Sequence, residues 1–296
     1  MKVTNHFPAQ IDTELCVGCG TCVKICPRHV LVKLDGQTVP QVRQDMLCFN
    51  CAQCVAACPK AAISLPDIKP EELERVRPEL NVSEEQVTQF FKTRRSCRNF
   101  TDKPLSREET EKLLDIAAYA PTGKNWRLVK WYVAAQPEQV QAYATECAEM
   151  LGMVAPVLFS GGQFVNCTAN RMMRYDREQC TDIQNELREM SETLEAGQDT
   201  ILCGAPSLFL ACADTRNLLA HDACITAMSH LELAAHGMGL GACWVGTFAM
   251  FAQTAPSFEK RLGLPKHVHI VSAMIVGHPK YRLKKIPKRS SDVTWL

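Results

Sequence analysis

Long apolar runs are absent from this chain of 296 residues, and no segment approaches the ~18 consecutive apolar residues of a membrane-crossing helix. A surplus of charge is missing too. Its 33 Lys and Arg against 32 Asp and Glu leave a formal net charge of +1, with no basic field to attract a nucleic acid. The opening "MKVTNHFPAQIDTELC" has no apolar stretch of the kind found in a secretory leader. These absences argue against membrane and nucleic-acid partners, and a cytoplasmic protein is expected. What remains, 46% hydrophobic and 22% charged, is ordinary globular material. The length suggests about two domains at ~150 residues each. Cysteine is the residue in excess. There are 16, and a reducing compartment makes a disulfide framework the poorer explanation of them.

Eight of the cysteines form two copies of one phrase, "CVGCGTCVKICP" at residues 16–27 and "CFNCAQCVAACP" at residues 48–59. Both read Cys-x2-Cys-x2-Cys-x3-Cys-Pro, and the offset is constant at 32 residues, Cys16 to Cys48 and Cys26 to Cys58. This is the bacterial ferredoxin spacing for two [4Fe–4S] clusters, in which the fourth cysteine of each run ligates the other cluster. Three thiolates on one tight loop can hold three corners of a cubane, and the fourth corner needs a sulfur from elsewhere. The expected ligand sets are therefore Cys16, Cys19, Cys22 and Cys58 for one cluster, and Cys48, Cys51, Cys54 and Cys26 for the other. Zinc is the alternative, but zinc sites pair Cys-x2-Cys units across longer gaps and close at four ligands. Gly18 and Gly20 permit the positive φ that aims backbone N–H groups at sulfur. Asn50 and Ala52 replace them in the second copy, so the two loops should treat their sulfurs differently. Pro27 and Pro59 turn the chain away after the fourth ligand. "KLDGQTV", around Asp35 and Gly36, reads as a hairpin joining the halves. Two clusters at about −2 each would shift the formal charge to about −3.

Residues 65–85 carry three prolines and many charges, and read as a linker with one helical turn. A helix is expected over residues 84–92. Another begins at Ser106, which makes a capping box with Glu109, and stops before Pro121. Residues 207–213 and 268–276 are short, apolar and branched, as buried strands are. Between them, Asp222 reads as the N-cap of a helix of about four turns, with Gly239 and Gly241 as its stops. The other eight cysteines (Cys97, Cys147, Cys167, Cys180, Cys203, Cys212, Cys224, Cys243) show no ligand spacing. Cys212 and Cys224 fall inside apolar elements, where a free thiol behaves as a small hydrophobe. His267 and His269 are expected only to pack at a strand start.

Four stretches, "RRSCRNF" (94–100), "APTGKNW" (120–126), "GMGLGACWVGTF" (237–248) and "GHPKYRLKKIPKR" (277–289), together resemble the nitroreductase family of FMN enzymes. The resemblance spans residues 86–296, and the whole chain looks like a ferredoxin-fused member. It implies an α+β fold, a small ferredoxin-like two-cluster domain (1–66), a linker (67–85) and a nitroreductase-like α/β sandwich domain that binds FMN (86–296). It also implies a homodimer with FMN at the subunit interface. On that resemblance Arg94, Arg95, Ser96 and Arg98 hold the FMN phosphate and ribityl chain, and Lys288 and Arg289 close the phosphate site, as guanidinium forks suit phosphate. Pro121, Thr122, Gly123 and Asn125 would meet the flavin from the partner subunit. The backbone at Gly246 and Thr247 would face the flavin ring, where an N–H stabilises developing charge.

After Asn125 the chain reads "NWRLV", with Trp126 and Arg127 departing from the family's "NxQPW". Residues 164–198 form a candidate lid, with Arg171, Arg174 and Tyr175 as candidate substrate contacts and a solvated helix as the alternative. The expected function is an oxidoreductase carrying electrons from an external donor, a ferredoxin or flavodoxin, through the clusters to FMN and on to a small electron-poor organic acceptor (nitro, quinone or enone). No side chain stands out as a catalytic acid. The alternatives are an electron-transfer module with FMN as relay only, or a dehalogenase- or oxidase-type reaction of the same superfamily.

Overall fold

The computed structural model describes residues 9–160, 182, 185, 186, 188–190, 192, 193 and 196–296. The candidate lid contacts Arg171, Arg174 and Tyr175, with Cys167 and Cys180, lie outside the described residues. The chain divides into two compact units. The first takes the residues up to Val82 together with Gly123–Trp126, and the second takes Ser83–Thr122 and Arg127–Leu296.

The first unit repeats one small motif. Strand β1 (Gln10–Ile11), a cysteine loop and helix α1 (Thr21–Ile25) are followed by the hairpin β2 (Leu31–Val32) and β3 (Gln41–Val42). A second loop, helix α2 (Gln53–Ala56) and strand β4 (Ile63–Ser64) complete it. β1 pairs antiparallel with β4, and β2 with β3. Each helix is about one turn long and starts directly after a left-handed residue that ends its cysteine loop: Gly20 at φ 74° caps α1 and Ala52 at φ 58° caps α2. Gly18 is required for a second reason, since a Cβ there would lie 2.6 Å from the Thr38 carbonyl oxygen. A core of Leu31, Val55, Ile63 and Leu65, all at most 3% exposed, sits between the loops. The segment beyond it contains two 3₁₀ turns, Pro70–Glu72 and Pro78–Leu80, each opened by its proline, where one helical turn was expected.

The second unit is built on a four-stranded antiparallel sheet in the order β5-β6-β8-β7, from β5 (Lys130–Ala134), β6 (Ser207–Asp214), β7 (Gly241–Trp244) and β8 (Val268–Gly277). Helix α3 (Glu84–Thr93) is capped by Ser83, and α4 (Arg107–Ala117) by the expected Ser106–Glu109 box. Helices α5 (Pro137–Ser160), α6 (Ala220–Gly237), α7 (Gly246–Thr254) and α8 (Pro256–Arg261) complete it. One side of β6 (Leu208, Leu210, Cys212) packs with residues of α5, α7 and α8. The other side (Phe209, Ala211, Ala213) packs with residues of α4 and α6. Burial on both faces explains why β6 reads as a continuous apolar run rather than an alternating one.

Helix α6 corrects one expectation. It starts at Ala220, two residues before Asp222, with Leu219 at the cap position, and its 18 residues make about five turns. Gly239, at φ 73°, does end it. Gly241 instead opens β7, and a Cβ there would sit 2.6 Å from Cys97 Sγ. Cys212 and Cys224 are fully buried, as their apolar settings imply. Among the described residues, no helix is long and apolar enough to cross a membrane.

Candidate cofactor sites

The eight paired-motif cysteines line two separate cavities. Cys16, Cys19, Cys22 and Cys58 face the first, with Ile11, Pro40 and Ile63. Cys26, Cys48, Cys51 and Cys54 face the second, with Val30, Phe49 and Leu65. Each cavity thus takes three thiols from one run and the fourth from the other, the crosswise sets expected from the spacing. Backbone N–H groups already point at sulfur: Val30 to Cys26 Sγ at 3.4 Å, Asn50 to Cys48 Sγ at 3.4 Å and Ala62 to Cys58 Sγ at 3.3 Å. Asn50 (φ 51°) and Ala52 (φ 58°) hold the left-handed conformation that Gly18 (φ 70°) and Gly20 (φ 74°) hold in the first loop. The loop geometry is therefore common to both copies despite the lost glycines.

The thiols themselves indicate what the cavities are suited to hold. Burial pushes the Cys54 thiol up to about 11, and the neighbouring Cys48, Cys51 and Cys26 add to the rise. Burial also raises Cys22 and Cys48. Cys19 is lowered, first by its hydrogen bond with Thr21. Crowded, desolvated thiols of this kind ionise only against a cation, and a coordinating metal deprotonates them outright. Among the described residues, no group of three or more Cys, His, Asp or Glu side chains is gathered tightly enough for a single metal ion. Four thiols lining each cavity, three from one Cys-x2-Cys-x2-Cys run and one from the other, suit a [4Fe–4S] cluster.

In the second unit the arginine motif lies along the edge of the sheet. Ser96 forms a parallel bridge with Ala242 of β7, and Cys97 N–H donates to the Ala242 carbonyl at 2.9 Å. On its other side, Thr101 N–H donates to the His278 carbonyl and Lys280 N–H to the Asn99 carbonyl, both at 2.9 Å. The motif is thereby fixed between β7 and the segment that follows β8. A cleft of about 350 Å³ opens there, lined by Arg95, Ser96, Arg98, His236, Gly239 and Arg282, among others. Three guanidinium groups and a hydroxyl around one cleft are suited to a phosphate-bearing ligand.

Of the residues singled out in the sequence, Arg95, Ser96 and Arg98 meet at this cleft. Arg94 does not line it: its Nη1 donates to Glu232 Oε1 at 2.5 Å, and the other oxygen of Glu232 accepts from Trp244 Nε1 at 3.0 Å. Lys288 and Arg289 stand exposed in the C-terminal segment, outside the cleft lining. Gly246 and Thr247 are the first two residues of α7, so their N–H groups are free of intrahelical partners. Pro121 accepts through its carbonyl from Thr226 Oγ1 at 3.0 Å, and Thr122 Oγ1 accepts from Arg127 N–H at 3.1 Å. Gly123 and Asn125 fall in the first unit, where Asn125 Nδ2 donates to the Asn50 carbonyl at 2.7 Å.

Sequence reasoning missed Arg282, Glu232 and His269. Arg282 stood inside a quoted motif but was passed over for the later Lys288 and Arg289. Glu232 carried a signal, a lone charge in the apolar run "LELAA", which calls for a buried partner. His269 does more than pack, since its Nδ1 lies 2.9 Å from Glu259 Oε2.

Geometry of this kind defines an α+β protein that joins a ferredoxin-type unit to a helix-clad antiparallel sheet with an anion-suited cleft. Comparison with known proteins agrees. A model of the nitroreductase family matches residues 91–278, and one of the 4Fe-4S dicluster domain matches residues 15–63. The chain belongs to the nitroreductase family, whose members are oxidoreductases, and carries an N-terminal 4Fe-4S dicluster domain. An Archaeoglobus fulgidus protein with the provisional name NADH dehydrogenase/NAD(P)H nitroreductase is 24% identical over 202 residues, 66% of this chain and 87% of that one. Two solved nitroreductases with bound FMN share the fold. The Bacteroides fragilis structure has a TM-score of 0.52 at 17% identity and the Desulfitobacterium hafniense structure 0.51 at 21%; each comparison covers 73% of this chain and 100% of the other.

Proposed function

We propose that the chain is a cytoplasmic FMN oxidoreductase fed by two [4Fe–4S] clusters, working as a homodimer. Residues 1–66 form the cluster domain, 67–85 the connector and 86–296 the flavin domain. The observation that carries this reading is the division of the eight motif cysteines into two four-thiol cavities, three from one run and one from the other in each. Cys16, Cys19, Cys22 and Cys58 hold one cluster, and Cys26, Cys48, Cys51 and Cys54 the other. Arg95, Ser96 and Arg98 orient the FMN phosphate in the cleft beside β7, and Arg282 is positioned to join them. Arg94 acts one step back, locking the motif to α6 through Glu232. Lys288 and Arg289 close the phosphate site in the dimer, and Pro121, Thr122, Gly123 and Asn125 meet the flavin of the partner subunit. The free N–H groups of Gly246 and Thr247 face the flavin ring.

When bound, the clusters take up single electrons from a ferredoxin- or flavodoxin-like donor, and the flavin delivers them in pairs to an electron-poor organic acceptor. Bound FMN in the two solved nitroreductases supports the flavin reading. Metal and flavin analysis of anaerobically purified protein tests it. About eight iron, eight sulfide and one FMN per chain are expected. Stoichiometric zinc, or four iron, would remove the two-cluster reading, and absence of FMN would remove the flavin one.

A further inference from the structure

The repeat makes residues 28 and 60 counterparts, each two positions past the fourth cysteine of its run, and they are Arg28 and Lys60. Arg28 lines the Cys26, Cys48, Cys51 and Cys54 cavity, and Lys60 the other. Their surroundings differ. The Arg28 guanidinium lies 5.1 Å from the ring centroid of Phe49, on the same cavity wall, and its Nε is buried with no hydrogen-bond partner among the described residues. Lys60 is exposed. A buried guanidinium N–H without a partner is costly, and an acceptor inside the cavity would relieve it. Cluster sulfur is such an acceptor.

We infer that Arg28 raises the reduction potential of the cluster held by Cys26, Cys48, Cys51 and Cys54 above that of its twin, an inference that rests on the two-cluster reading. Reduction adds one negative charge to a cluster. A half-buried cation and a buried N–H donor in the cavity lining therefore stabilise the reduced form more than the oxidised one. An exposed ammonium at Lys60 is strongly hydrated and screened, so it does this weakly. Near the first cavity, Lys33 is a cation that acts on Cys19, but it is exposed and its Nζ donates to the Gly18 carbonyl at 2.8 Å, so it too acts weakly. The second cavity has N–H donors at Cys26 and Cys48; the first has one at Cys58 and the Thr21 hydroxyl 3.5 Å from Cys19. Among the described residues, neither cavity is lined by a carboxylate. The guanidinium sets the order, and a single electron given to the protein rests on the Cys26 cluster.

EPR-monitored midpoint potentials of the full-length protein test this, with iron and sulfide counted on every sample. Wild type is expected to show two distinct potentials. Arg28→Met should lower the higher one by at least tenfold in its reduction equilibrium, 59 mV for one electron, and leave the lower one in place. Lys60→Met should move neither by that amount. If Arg28→Met fails to retain iron, Arg28→Gln, also neutral, carries the same expectation. An unmoved higher potential in a variant that keeps about eight iron, or an equal shift in Lys60→Met, overturns the role of Arg28. Fewer than eight iron in wild type would instead count against the two-cluster reading itself.

Discussion

Glu232 is the most informative position to perturb in the second unit. The residue is 8% exposed, and its carboxylate takes the Arg94 guanidinium at 2.5 Å on one oxygen and Trp244 Nε1 at 3.0 Å on the other. Glu232→Ala removes a hydrogen bond to a charged group, worth about 1.5–3 kcal/mol, and leaves the indole N–H unsatisfied at about 1–3 kcal/mol. Arg94 keeps 26% of its side chain exposed and can rehydrate in part, so the lower halves of those ranges apply. The expected loss is about 3 kcal/mol, or roughly 6–12 °C in Tm for a domain of this size. Glu232→Gln keeps the shape and one acceptor, and should lose about 1 kcal/mol. Replacing both partners, Glu232→Leu with Arg94→Met, removes the buried charges together and should recover most of the loss. Urea unfolding followed by circular dichroism measures all four proteins. A Glu232→Ala variant within about 0.5 kcal/mol of wild type, or a double variant less stable than Glu232→Ala, would refute the reasoning.

Arg98→Ala removes one cation from the cleft and should weaken FMN binding by about thirtyfold, roughly 2 kcal/mol, read from the quenching of flavin fluorescence. Gly241→Ala forces a methyl to within 2.6 Å of Cys97 Sγ and pushes the arginine motif away from β7. It should cost about 1–3 kcal/mol of stability and weaken FMN as well. Burial pushes the Cys147 and Cys224 thiols up to about 12, so both stay protonated in the folded protein where an unfolded chain, near 9, has begun to ionise them. Their contribution to stability is complete below pH 9 and declines as pH rises from 9 towards 12. At pH 8.5 iodoacetamide should reach both only after unfolding, as peptide mass mapping would record.

The cluster unit was legible because its chemistry is written in one-dimensional spacing. A cubane would constrain Cys-x2-Cys-x2-Cys directly, and the crosswise lining of the two cavities follows from what a short loop can reach. The caps at Ser106 and the strand at residues 207–214 were legible for the same reason, since a cap or a doubly buried strand is a local pattern. The α6 start was not: Asp222 is a good capping residue, but packing of Ala220 and Cys224 in the core carries the helix two residues further back. The cleft was half legible. Arg95, Ser96 and Arg98 announce themselves as a cluster, whereas only the fold shows that Arg94 is already spoken for by Glu232, 138 residues away. Arg282 reaches the cleft because the chain after β8 bonds back to residues 99 and 101, a pairing no local pattern encodes.

In the proposed path, electrons enter through the thiol-held clusters and reach the flavin from there. Stopped-flow absorbance at the flavin band, with reduced ferredoxin as donor, tests it most directly in the full-length protein and its Cys19→Ser and Cys51→Ser variants. Ferredoxin-driven bleaching is expected to slow by at least tenfold in both variants, while dithionite bleaches all three flavins alike. Wild-type rates with ferredoxin in variants that have lost cluster iron would contradict the electron path.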